Sequence, residues 1–279
     1  MLVPMLRVVV AALLAGFLGY RGLKKQSLDV SGAAAACFVG FFTLASGYRF
    51  GVLLLGFYFS GSKLTKVRAR FKQQLDANYK PGGQRSARQV LACSLVATLL
   101  AVYTVVRFGH DDVSIDFQTA PERSFVLASY IGHYACCAAD TWASELGVLS
   151  KSEPRLITTG KRVPRGTNGG VSVLGLAVSA LGGAFIGALY YAASLLSRTA
   201  QPQVVTLGVV TGLFGSMLDS ILGATVQATH FDRVTRKICD DAPHVEHICG
   251  RKWLSNEQVN VVSTLVATAI SGALATYLF

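Results

Sequence analysis

Long apolar runs at 2–20, 31–47, 50–61, 87–106, 124–139, 169–195, 203–228 and 258–278 leave this chain few ways to fold. Several are long enough, or nearly so, to cross a hydrocarbon core, which takes roughly 20 residues of helix. Only 15% of the 279 residues are charged, against about 25% in soluble domains. The expected fold is all-α: a polytopic transmembrane helix bundle of seven or eight membrane helices, forming a single integral membrane domain over 1–279. The first run contains Arg7 and continues without a small-residue cleavage pattern, so it reads as a membrane helix rather than a cleaved signal peptide. Gly47, Tyr48 and Arg49 alone separate the second and third runs, which fits either a tight helical hairpin or one long broken helix.

Charge orients the bundle. The connection 62–86 holds Lys63, Lys66, Arg68, Arg70, Lys72, Lys80 and Arg85 against Asp76, and 140–168 is dominated by Lys151, Arg155, Lys161, Arg162 and Arg165. In contrast, 107–123 carries Asp111, Asp112, Asp116 and Glu122 against Arg107 and Arg123. With eight helices the basic connections 62–86 and 140–168 fall on one side together with 229–257, and the positive-inside bias makes that side cytoplasmic. The net charge of +11 is therefore topological, and the same face attracts anionic headgroups. No element that reads nucleic acid accompanies the basic residues, so nucleic acid is not an expected partner. The sequence carries no information on protein partners.

Acidic residues interrupt this apolar chain at two places. Asp140 and Glu145 follow directly on the run 124–139, and Asp219 lies inside 203–228. A carboxylate in hydrocarbon costs several kcal/mol, so such groups face a bundle interior, a partner or a path. On a helix Thr141 and Glu145 share one side while Asp140 and Ser144 share the adjoining one. Oxygen ligands of this kind suit magnesium, which one or two carboxylates hold while water and substrate phosphates complete the shell. The competing interpretation is a cap at a helix break. Asp219 is flanked by Ser216, Ser220 and Gly223, which fits a functional carboxylate or, alternatively, a buried neutral acid or structural polar contact.

Anion-binding candidates accompany them. Gly166, Thr167, Asn168, Gly169 and Gly170 are expected to open the following helix, where free N–H groups and the helix dipole favour phosphate, the alternative being an ordinary turn. The segment lacks the GxxxxGK[ST] spacing of a P-loop. Arg85 and Arg88, following Gly82-Gly83, have the spacing to share a helical side and grip a phosphate, or to act as interfacial anchors. Asn256 and Asn260, four apart, either bind substrate or cap the last helix. Cys37 and Cys93 read as small buried hydrophobes, the six cysteines lack CxxC spacing, and no histidine is the expected base.

Several motifs in order resemble one family. Gly61-Ser62-Lys63, Gly82-Gly83-Gln84-Arg85, Asp140-Thr141-Trp142-Ala143-Ser144-Glu145, Pro154-Arg155-Leu156-Ile157-Thr158-Thr159, Pro164 through Gly170 and Asp219-Ser220-Ile221-Leu222-Gly223-Ala224-Thr225 are similar to the transmembrane protein nineteen family, also called domain of unknown function ninety-two. The resemblance runs over nearly the whole chain. It implies an isoprenyl-phosphate kinase-like enzyme, since plant and cyanobacterial members are regarded as phytyl-phosphate kinases that convert an isoprenyl monophosphate to its diphosphate. A departure follows Asp219: the segment continues into Gln227-Ala228-Thr229-His230 without the asparagine of many prokaryotic members, leaving substrate choice open.

Joined to the residues above, the resemblance implies Mg²⁺ organised by Asp140, Glu145 and Asp219 and a nucleoside triphosphate co-substrate, CTP favoured. Lys63, Arg85, Arg88 and Lys161 would hold phosphates, with the 166–170 glycine loop, while Thr141, Ser144, Ser220, Asn256 and Asn260 form a polar wall. Arg162 and Arg165 are candidate closing cations. A phosphate oxygen attacks, so no strong protein base is required. The expected partner is a membrane lipid or isoprenyl phosphate, and the expected address is the endoplasmic reticulum or another endomembrane rather than the chloroplast envelope. The alternative is a transporter or binding protein for a lipid phosphate or small anion, which predicts a polar path to the far side.

Overall fold

The apolar runs are helices, and they alternate in direction. The structure is a computed structural model that describes residues 5–79, 81–109 and 112–279. Lys80 and Asp111, counted in the charge argument, and the first residues of the expected helix 2–20 lie outside the described residues. Long helices are α1 (Met5–Lys24), α2 (Val30–Ser46), α3 (Tyr48–Lys66), α5 (Ala87–Phe108), α6 (Pro121–Gly147), α7 (Val173–Leu195), α8 (Gln203–Val226) and α9 (Asn256–Ala275). A short α4 (Ala69–Gln73) follows α3. By length and composition, α1, α5, α7, α8 and α9 are apolar enough to cross a membrane, and α2 is a shorter apolar helix. Large apolar side chains such as Leu13, Phe17, Val106 and Leu181 stay exposed on the outside, as a lipid-facing surface requires.

Local chemistry sets the boundaries. The Asp29 carboxylate accepts from Gly32 N at 2.7 Å and starts α2. Pro121 occupies the first turn of α6, where its missing N–H costs nothing. Ser255 and Gln258 form a reciprocal capping box at α9. Between α2 and α3 only Gly47 is non-helical. The Ser46 end of α2 is bonded by Arg7 from the start of α1, whereas Ser62 near the end of α3 meets Arg85. The pair is therefore a helical hairpin, and α3 runs further than the expected 50–61.

Two ends follow from this alternation. At one, the connections after α1, α3, α6 and α8 meet: Asp29 N donates to Arg85 O (3.0 Å), Ala77 N to Ile238 O (2.9 Å) and Asn168 N to Thr229 Oγ1 (3.3 Å). At the other, Ile115 and Gln201 exchange two hydrogen bonds of 2.8 and 2.9 Å, and the buried Arg49 donates to Val113 O, Ser194 and Thr199.

The connections are more structured than loops. Strands β1 (Arg155–Leu156) and β2 (Gly170–Val171) pair antiparallel, and β3 (Thr229–Asp232) lies between β4 (Lys237–Cys239) and β5 (Glu246–Cys249). In the β3–β4 turn, bonds from the Thr235 hydroxyl and the Val234 amide hold the Asp232 carboxyl below its usual range. The expected loop 140–168 starts later, because α6 continues through Glu145 to Gly147. Asp140 thus sits within a helix rather than capping a break.

Helix α6 is the axis. Its residues from Val126 to Ala139 are buried on every side, which suits a stretch apolar all round. Two of its polar members are bonded to other helices: Tyr130 donates to Phe50 O at 2.7 Å, and His133 lies 3.0 Å from Thr268 Oγ1 and 2.9 Å from Cys93 O. Small residues bring backbones together. A Cβ added at Gly183 of α7 would collide with the Gly208 carbonyl of α8, and one at Gly182 would press on the α6 backbone at Ala138–Ala139. Gly183→Ala is therefore expected to cost about 3 kcal/mol, read as a lowered melting temperature in detergent; an unchanged one would show that the α7–α8 contact is loose.

Candidate functional site

All eight long helices contribute to one cavity of about 400 Å³ near the end where the connections meet. Its walls differ in character. Residues from α1 to α3, among them Ala15, Leu18, Ala36, Val39, Leu55 and Phe57, are largely apolar. Those from α6, α8, α9 and the 165–172 segment are polar, including Asp140, Thr141, Asn168, Asp219, Ser220 and Asn260.

Two carboxylates face this space from different helices. Asp219 on α8 is held by α9: Ser263 Oγ donates to its Oδ2 at 2.8 Å, and Asn260, with its amide nitrogen turned to the carboxylate, donates at 3.2 Å. Asp140 on α6 accepts no hydrogen bond among the described residues. Neither is within ion-pair distance of a cation among those residues.

Glu145 is placed differently. Its Oε2 is 2.5 Å from Lys72 Nζ, and its Oε1 accepts from Thr65 Oγ1 at 2.5 Å, so both oxygens are engaged although the residue borders the cavity. No group of three acidic, histidine or cysteine side chains able to hold a metal occurs among the described residues. The expected trio of carboxylates therefore separates into Asp140 with Asp219, and Glu145 with Lys72. Burial, and then the Glu145 carboxylate, raise the pKa of the neighbouring Tyr79 phenol.

The cations also sort. Arg85 reaches the cavity just before α5, its Nη1 and Nη2 each 3.4 Å from the hydroxyls of Ser62 and Thr65, with no carboxylate partner among the described residues. Arg165 lies at the rim, donating to Lys151 O at 3.1 Å and stacked over Phe71. Lys63, Arg88, Lys161 and Arg162 are exposed and do not border the cavity. Arg85 and Arg88 do not act as a pair, because Arg85 precedes the helix and turns inward. Ser144 and Asn256 border the cavity too, but Ser144 bonds its own helix at Thr141 O, and α9 is capped by Ser255 rather than by either asparagine.

The glycine segment does not start a helix. Gly170 belongs to β2, and α7 begins after Ser172, whose hydroxyl accepts from Gly175 N. Three amides of the segment are already bonded: Thr167 N to Pro164 O, Asn168 N to Thr229 Oγ1 and Gly170 N to Thr167 O. Gly169, at φ 73°, packs on α8 where any side chain would collide with Ser220 O and Ala224. Its role is close approach, which brings Asn168 beside the helix that carries Asp219. Sequence reading missed Thr65 and the partner of Glu145; Lys72 was one basic residue among several, and 73 positions separate it from Glu145.

Comparison with known proteins agrees with this architecture. The model of the family described as integral membrane protein DUF92 matches residues 13–268. Protein PGR of Arabidopsis thaliana is 39% identical over 99% of both chains. An uncharacterized membrane protein of Methanocaldococcus jannaschii, MJ0933, is 29% identical over 95% of this chain and 93% of its own. Protein VTE6, chloroplastic, also from Arabidopsis thaliana, is 26% identical over 88% of this chain and 64% of its own. No solved structure matches. Helical, multi-pass and matched across most of its length, this chain belongs to the DUF92 family of integral membrane proteins.

Proposed function

We propose that the protein is an isoprenyl-phosphate kinase, transferring the γ-phosphoryl group of a nucleoside triphosphate, CTP favoured, to a membrane-embedded isoprenyl monophosphate. The observation that carries this is the split character of one cavity. An apolar wall adjoins a guanidinium that has no carboxylate partner among the described residues, and two carboxylates that have no cation partner among them stand in the same polar lining. A ligand that completes all three has an apolar tail, an anionic head and a bound cation.

Asp140 and Asp219 are the residues that would hold Mg²⁺, since two carboxylates with phosphate oxygens form its usual shell. Bound there, the ion would supply neutralisation of phosphate charge. Arg85 binds the acceptor phosphate through its forked donors, Asn260 and Ser263 fix the Asp219 carboxylate, and Arg165 at the rim meets the triphosphate. An oxygen of the monophosphate attacks the γ-phosphorus in line. A new P–O bond forms as the bond to the β–γ bridging oxygen breaks, and nucleoside diphosphate leaves. The attacking oxygen is already anionic, so no protein base takes part.

Positive-inside bias supports placing the 67–86, 148–172 and 227–255 connections in the cytoplasm. An endomembrane address remains the proposal. The chloroplastic name belongs to VTE6, and fractionation against reticulum and plastid-envelope markers separates the two.

The test is transfer of labelled γ-phosphate from CTP, ATP, GTP or UTP to a panel of isoprenyl monophosphates by purified protein in liposomes. Diphosphate product is expected with Mg²⁺, lost on EDTA treatment and restored by added Mg²⁺. Absence of product throughout, with intact protein and a working control kinase, favours a carrier or binding protein for a lipid phosphate.

A further inference from the structure

The Lys72–Glu145 pair has no part in the transfer scheme, yet its bonds lead to the cavity. Lys72 is 7% exposed and uses its ammonium fully, donating to Leu64 O (2.9 Å), Thr65 O (3.3 Å) and Glu145 Oε2 (2.5 Å). It satisfies carbonyls at the end of α3 while compensating the charge of Glu145. The second carboxylate oxygen accepts from the Thr65 hydroxyl at 2.5 Å. That hydroxyl has one proton. Gly61 O is also within reach at 3.0 Å, but a charged acceptor forms the stronger bond. The oxygen of Thr65 then presents its remaining lone pairs to Arg85 Nη2, 3.4 Å away. Gly83, at φ 64°, packs on the Thr65 methyl so closely that a Cβ there would overlap it, which restricts the side chain's rotation.

We propose that Glu145 is a positioning residue of the anion site rather than a metal ligand: it orients Thr65, and Thr65 holds the Arg85 guanidinium in the cavity. Lys72 keeps Glu145 compensated, so this carboxylate does not compete with Asp140 and Asp219 for a cation. The assignment rests on the cavity being a lipid-phosphate site. It divides the acidic residues into two that meet the ligand's cation and one that acts through a hydroxyl on the residue meeting its anion.

Equilibrium binding of geranylgeranyl monophosphate to the full chain in detergent tests this without requiring turnover. A parallel Mg²⁺ titration follows the cation. Thr65→Val is expected to weaken the probe about tenfold with the Mg²⁺ midpoint unchanged, and Thr65→Ser, which keeps the hydroxyl, to bind within about twofold of wild type. Glu145→Gln retains an oxygen that accepts from Thr65, and because the carboxylate is not a metal ligand its Mg²⁺ midpoint should stay at the wild-type value. A Mg²⁺ midpoint raised about tenfold or more in Glu145→Gln would make the residue a ligand and overturn the assignment. So would Thr65→Val binding as well as wild type. If melting shows Thr65→Val unfolded, the Glu145→Gln titration and the Thr65→Ser binding decide. Wild-type protein that ignores the probe sinks the lipid-phosphate reading itself, and this assignment with it. Wild-type protein that binds the probe, with Thr65→Val binding it equally well, sinks the assignment alone.

Discussion

Asp140→Asn is expected to lower phosphoryl transfer by about a thousandfold while leaving the protein folded, with a melting temperature equal to or above that of wild type. The reasoning lies in what Asp140 lacks. It accepts no hydrogen bond among the described residues and has no cation within ion-pair distance there, so its charge supports nothing in the fold. Asparagine has nearly the same shape and removes a carboxylate that stands in the same cavity as Asp219 with no cation partner among the described residues, which relieves a cost. Such a trade of stability for activity is the signature of a functional group. Asp219→Asn should also lose transfer with its fold retained, because the asparagine oxygen can accept the bonds from Ser263 and Asn260. The check is turnover and melting measured on the same preparations. Wild-type turnover in Asp140→Asn would remove the proposed cation site. Unfolding with proportionate loss of activity would make the carboxylate structural.

Membrane architecture was legible because its signal is local. A long apolar run reads as a span wherever it packs, and the alternation of basic connections needs only counting. Asp140 and Asp219 were legible for the same reason: each is anomalous against its own neighbours. What failed to show was pairing across the chain. Glu145 looks like Asp140 in sequence, five positions earlier on the same helix, yet the helix turns it to Lys72 and Thr65. The basic stretch from Lys63 to Arg88 gives no sign that Arg85 turns inward while Lys63 and Arg88 remain exposed. The glycine segment misled for another reason. Glycines that allow phosphate approach and glycines that let one backbone lie on another are the same in sequence. Here Gly169 lies on α8, and Ser172 caps the helix. The hairpin at Gly47 was open for want of partners, and the contacts of Arg7 and Arg85 settle it.

Arg85→Lys is expected to raise KM for the isoprenyl monophosphate about thirtyfold, and Arg85→Met at least about a hundredfold, with a smaller change in kcat at saturation. The backbone at this position is pinned: Arg85 N donates to Ser27 O at 3.1 Å, Arg85 O accepts from Asp29 N at 3.0 Å, and Gly32 packs against the same carbonyl. A substitution there changes the head group without moving the chain. Ser62 and Thr65 hold the two terminal nitrogens, one each, which leaves the guanidinium spread toward the cavity. Lysine keeps the charge but replaces a forked plane with a point donor that cannot meet both hydroxyls and a phosphate together. Methionine keeps length and removes the charge. The informative comparison is between substrates. If Arg85 grips the acceptor, KM for the lipid phosphate rises and KM for the nucleotide does not. The reverse pattern would place the triphosphate at Arg85 and the acceptor nearer Arg165. Unchanged constants for both would mean that the guanidinium serves only to fasten α3 to the start of α5, and the cavity would lose the cation on which its assignment to a phosphate depends.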